Sequence, residues 1–160
     1  MAQYRYIVLD EHPLSNAAVP HATQGVAPSS SQQGRQWLTE CSASGLSFIV
    51  PAIAYYEAIR EMELRNAARQ IERFQNFCFE TSRFVPLTTD HLTGAAKIWA
   101  RVRRSGLPTS DRHALDGDVI LAAQVLSLGL ASDDYIVATS NPAHLIRLGL
   151  PAAEWTSISP

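Results

Sequence analysis

The sequence is poor in cysteine, nearly without lysine, and has no long apolar run. Its two cysteines, Cys41 and Cys78, belong to no CxxC and to no Cys/His cluster, which excludes a disulfide framework and a structural zinc site. Both read as small buried thiols. No stretch approaches membrane-spanning length, and the polar opening MAQYRYIVLDEH lacks the basic-then-apolar order of a secretory signal. A cytoplasmic location with no membrane partner is the expectation. There is no GxxxxGK loop for nucleotide phosphates and no G-x-S-x-G elbow for acyl chemistry, so those classes drop away. Of thirteen basic residues only Lys97 is a lysine; arginine suits bidentate phosphate binding, but genome composition produces the same bias. The formal charge of −2 gives no general attraction to nucleic acid and leaves room for a local basic groove.

What is present is enough apolar sequence for one core. With 160 residues, 46% of them apolar, the chain reads as a single domain over 1–160. YRYIVL (4–9), LSFIV (46–50), RFVPL (83–87) and YIVAT (135–139) read as strands, and EWTSI (154–158) as a possible fifth. VPHATQGVAPSSSQQG (19–34) reads as a surface loop, followed by a short helix RQWLTECSA. Pro51 opens a long helix that breaks near Asn66, and TTDHLTGAAKIWARVRRSG and ALDGDVILAAQVLSLGL supply two more. Strands alternating with helices predict an α/β three-layer sandwich: a mainly parallel four- or five-stranded sheet flanked by helices.

Ligands of such sheets bind beyond the carboxyl ends of the strands, and acids gather there. Asp10 closes the first strand, Asn141 follows the fourth within ATSN, and Asp118 lies in the first turn of its helix. Glu57 stands two turns into the helix after the second strand, on a stripe Ile53, Glu57, Arg60, Leu64 that should otherwise be core. Asp118 shares its stripe with Leu121, Ala122 and Val125. Asp116, roughly 200° away around the helix, reads as the helix cap, which frees Asp118 to bind something. Carboxylates crowded in a partly dry pocket repel one another and take up protons unless a cation neutralises them. Oxygen ligands without Cys or His favour Mg²⁺ or Mn²⁺. Taken singly, each position has a plain structural reading: a turn for Asp10, dipole complement for Asp118, an i,i+3 pair for Glu57 and Arg60, a turn or cap for Asn141.

YIVLDEHPLS, VPAIAYYEAIREMEL, LDGDVILAAQ, IVATSNPAHL and EWTSI together resemble the PIN-domain family, in particular the VapC-like toxin ribonucleases of toxin–antitoxin pairs. The resemblance implies a metal-dependent endoribonuclease that cuts RNA, a cognate antitoxin protein and a homodimer. It carries the family's first acid to Asp10, the second to Glu57, the third to Asp118 and the fourth position to Asn141. Asp116 is then an extra acid able to support or replace a ligand, and Thr139 and Ser140 orient the site through their hydroxyls. Glu11, His12 and Pro13 depart from the small hydroxyl residue and Asn or Ser that usually follow the first acid.

Two other classes stay open. One is a PIN-like binding or regulatory module that has lost efficient cleavage through the altered first motif. The other is an acid-edged phosphatase or phosphoacceptor with Asp10 as nucleophile, which lacks a Lys after the fourth strand and a DxD after the first. Arg101, Arg103 and Arg104, and the face of Arg65, Arg69 and Arg73, read as solvated helix surfaces rather than an RNA track.

Overall fold

The computed structural model describes residues 4–80, 84–106 and 112–160, with the backbone alone over 112–114. Tyr6–Leu9 forms β1, in which Ile7, Val8 and Leu9 are all buried. Successive strand side chains point to opposite faces, so three buried in a row require cover on both faces. The same is true of Phe48, Ile49 and Val50 in β2 (Ser47–Pro51) and of every residue of β4 (Tyr135–Thr139). With β3 (Phe84–Val85) and β5 (Ala152–Glu154) these form one five-stranded sheet in the order β3-β2-β1-β4-β5, every pair parallel.

Helices make the crossovers. From β1 the chain runs through α1 (Glu11–Ser15), a 3-10 turn at Asn16–Ala18 and α2 (Ser30–Ala43). Between β2 and β3 come α3 (Ala52–Leu64) and α4 (Ala68–Glu80), parted where Asn66 takes φ 51°, so the expected break is present. α5 (Thr89–Arg104) and α6 (Arg112–Leu126) precede β4, and α7 (Pro142–Arg147) precedes β5. The start of α3 has an unusual cap. Pro51 offers no side-chain acceptor, and the amide of Gln124 on α6 replaces it: Oε1 accepts from Ile53 N–H at 3.1 Å while Nε2 donates to the Val85 carbonyl at 2.9 Å. That buried amide ties α6 to α3 and to the edge strand at once.

The polar segment after Asp10 is helical, because the Asp10 carboxylate caps it. The boundaries differ from expectation in two places. The loop expected over 19–34 ends at Ser29, whose hydroxyl accepts from Gln32 N–H while the Gln32 side chain accepts from Ser29 N–H, a capping box that starts α2 early. The last strand is Ala152–Glu154, and Trp155 leaves it in a 3-10 turn. There the Trp155 ring packs 5.5 Å from Trp37, whose indole N–H donates to the Ile158 carbonyl at 2.8 Å. Arg83, in the segment expected as the third strand, lies outside the described residues. Cys41 and Cys78 are buried thiols, and burial pushes them up to about 11 and about 12.

Candidate functional site

The strand order reverses between β1 and β4, and the crevice beyond their carboxyl ends is where parallel sheets of this topology bind ligands. Leu9 pairs with Ala138, so Asp10 and Thr139 emerge side by side. The Asp10 carboxylate is held at both oxygens: Oδ1 accepts from Glu11 N–H at 2.8 Å and Oδ2 from the Thr139 hydroxyl at 2.7 Å. Thr139 is itself buried and accepts from Asn141 N–H at 3.1 Å. One hydroxyl therefore links the ends of the two central strands.

Glu57 and Asp118 come to the same edge from α3 and α6. Asp118 stands over buried Leu121, Ala122 and Val125, as the sequence pattern predicts. Glu57 lies against Gly117: a Cβ added there would sit 2.5 Å from Glu57 Oε1. The stripe containing Glu57 is not core, however. Ala54, Ala58 and Met62 form the buried face of α3, whereas Arg60 and Leu64 face solvent.

Among the described residues the cluster is short of positive charge. Burial, and after it the charge of Asp10, raises Glu57 to about 7; Glu11 and Asp118 add to this and Arg60 opposes it. Burial and Asp10 likewise raise Asp118 to about 6 against the pull of His144. Glu11, half-buried at the head of α1, is raised by burial and by Asp10. Both Glu57 and Asp118 thus sit where a neutral-pH cation competes with a proton.

Asn141 opens α7 without capping it through its side chain. Its Nδ2 lies 3.2 Å from His144 Nδ1, which is also 3.4 Å from Asp118 Oδ2. One ring nitrogen can accept from the amide or, protonated, donate to the carboxylate, but not both. Asp116 does not cap α6. The helix begins at Arg112, so the backbone N–H groups near Asp116 already have intrahelical acceptors. Its side chain is exposed beside Leu92, Trp99 and Val119 in the groove between α5 and α6, away from the other acids.

No protein-family model matches the sequence, and no curated protein matches it. Solved structures do match. VapBC-1 from nontypeable Haemophilus influenzae aligns with TM-score 0.64 over 95% of this chain and 99% of that chain at 16% identity. FitAcB from Neisseria gonorrhoeae gives 0.62 over 94% and 99% at 15% identity. VapBC2 from Rickettsia felis, solved bound to a DNA fragment from their promoter, gives 0.61 over 94% and 98% at 13% identity. The chain has a PIN-like fold. At these identities the likeness carries the fold alone.

Within this PIN-like fold the structure brings Asp10, Glu57, Asp118 and Asn141 to one edge. Among the described residues no three His, Cys, Asp or Glu side chains stand close enough together to hold a metal ion. Asp118 is engaged with His144, so closing round an ion means releasing that contact, while each Asp10 oxygen keeps a lone pair beside its bond to Glu11 or Thr139. The donor set itself is oxygen-rich and under-neutralised, which fits a hard divalent cation. His144 and Gly117 are the participants that the sequence reading missed. The glycine between two acids in LDGDV is a usable signal, since helix interiors disfavour Gly unless something approaches closely. His144 gives none, because its partner is chosen only in three dimensions. No described helix is long and apolar enough to cross a membrane.

Proposed function

We propose that this chain is a Mg²⁺- or Mn²⁺-dependent endoribonuclease, the toxin of a toxin–antitoxin pair. The observation that carries the reading is the convergence of Asp10, Glu57 and Asp118 on the β1/β4 switch point, where burial and the charge of Asp10 raise Glu57 to about 7 and Asp118 to about 6. These three would hold the ion, with Asn141 assisting. When bound, the ion orients the scissile phosphodiester and neutralises the charge that develops on it during attack by water. Thr139 fixes the Asp10 carboxylate in its rotamer, and Gly117 leaves Glu57 room beside α6. His144 holds Asp118 until an ion takes it. The VapBC and FitAB neighbours support a cognate antitoxin as partner, and a homodimer is the assembly we expect.

The test is cleavage of a mixed pool of labelled RNAs by the purified protein in Mn²⁺, Mg²⁺ or EDTA, beside Asp10→Asn and Asp118→Asn. Cutting that needs the ion and falls at least about a hundredfold in both variants is the expected result. Calorimetric titration of Mn²⁺ on the same samples reads the ion directly. No heat of binding in the wild type sinks the metal site and leaves a PIN-like module without cleavage.

A further inference from the structure

Beside the acids, α3 carries a side-chain pair that packs against no core. Tyr56, the residue before Glu57, is 56% exposed. The Arg60 guanidinium lies 5.4 Å from its ring centroid, over the ring. Arg60 is half-exposed, and its carboxylate contact, Glu61, is 3.8 Å away on the same helix. An aromatic ring stacked on a guanidinium offers a flat, positively charged face to a planar partner.

Position decides what partner that is. Arg60 is one helical turn beyond Glu57, and its charge is felt at both Glu57 and Glu11. A phosphodiester held at these acids would lie near this cation, with an attached base in reach of the ring. Single-stranded RNA is read in this way, with unstacked bases laid on aromatic rings and arginine planes. A protein partner covering the same helix would bury the next residue of the exposed row as well, Leu64, which is 78% exposed. The base platform needs Tyr56 and Arg60 and makes no use of Leu64.

We propose that Tyr56 and Arg60 form a stacking platform that seats one base of a single-stranded RNA substrate next to the Asp10–Glu57–Asp118 site. The proposal rests on the ribonuclease reading and adds to it a preference for unpaired RNA and the residues that grip it. Because the two side chains stack on each other, removing either leaves the second without its neighbour, and their effects are less than additive.

The test is fluorescence anisotropy with 5′-fluorescein single-stranded RNA 12-mers and the same sequence in a duplex, using the full chain carrying Asp118→Asn to prevent cutting. Tyr56→Ala is expected to weaken single-strand binding by between about five- and a hundredfold, Arg60→Ala comparably, and the double variant by less than the product. Tyr56→Phe, which keeps the ring, and Leu64→Ser should bind as the parent does, and the duplex should bind more weakly throughout. A parent that binds RNA equally well with Tyr56→Ala overturns the platform and leaves the ribonuclease reading standing. A parent that binds no RNA overturns the platform, and wild-type cleavage decides the ribonuclease reading separately. Leu64→Ser and Tyr56→Ala altering sedimentation together, with RNA affinity unmoved, overturns the platform in favour of a protein interface.

Discussion

Gln124 and Asp118 lie two turns apart on the same helix and solve the burial of a polar group in opposite ways. The Gln124 amide is fully buried, and both its ends are matched: the Ile53 N–H at one and the Val85 carbonyl at the other. Asp118 is partly buried, repelled by Asp10, and among the described residues is matched by His144 at 3.4 Å. A satisfied amide in the interior holds elements together. A carboxylate that costs free energy to keep charged persists where something else is meant to neutralise it. The contrast separates the part of α6 that builds the fold from the part that serves the site.

The sharpest way to break this contrast is Gln124→Leu. It leaves the Ile53 N–H and the Val85 carbonyl buried without partners, at about 1–3 kcal/mol each, and we expect a loss of about 2–4 kcal/mol in denaturant unfolding. Unchanged stability would mean that the amide is not the cap of α3. Asp118→Asn is expected to do the reverse, holding or raising the unfolding midpoint at pH 8 while abolishing activity.

Next in size is Gly117→Ala. Alanine gains about 1 kcal/mol of helix propensity over glycine, but its Cβ takes the space of Glu57 Oε1. A protein at least as stable as the parent with activity lower by about tenfold, or 1.4 kcal/mol, is the expected pairing. Full activity would show that Glu57 works from elsewhere.

The smallest effect is on pH. Glu57 and Asp118 have folded pKa values of about 7 and about 6, above their ordinary values of 4.5 and 3.8. Between these limits the folded state binds more protons than the unfolded chain, so stability falls as pH rises from about 4 to about 7. Without added metal the melting temperature should drop by a few degrees across that window. Glu57→Gln should flatten the slope, and Mn²⁺ should restore the loss at pH 8. A flat profile in the parent would mean that the acids do not repel as described.

Much of this arrangement is legible in the sequence, for a physical reason. β1, β2 and β4 are buried on both faces and so read as unbroken apolar runs, and each run's end marks the functional edge. That is why Asp10 and Asn141 can be found, whereas Glu57 is picked out by a stripe that the structure leaves half in solvent. Helix starts were harder. Ser29 and Gln32 start α2 by a reciprocal bond that looks, in a Ser/Gln-rich stretch, like loop composition. The start of α6 at Arg112 has no apolar marker, which makes Asp116 look like a cap in the sequence. Gln124 and His144 are invisible beforehand because an isolated amide or imidazole acquires its role from neighbours far away in the chain.

The hydrogen bond from Thr139 to Asp10 spans 129 residues, so the two ends of the switch point are made far apart in time. At about 5–20 residues per second, several seconds separate the emergence of the first acid from that of the hydroxyl that orients it. β1 can pair with β2 early, but its other edge stays open until β4 arrives. A ribosome-bound chain lacking β4 therefore holds Asp10 unfixed and the switch point unformed. On the ribonuclease reading, a chain without β4 lacks the hydroxyl that orients its first acid, and cleavage would begin only once that strand has paired.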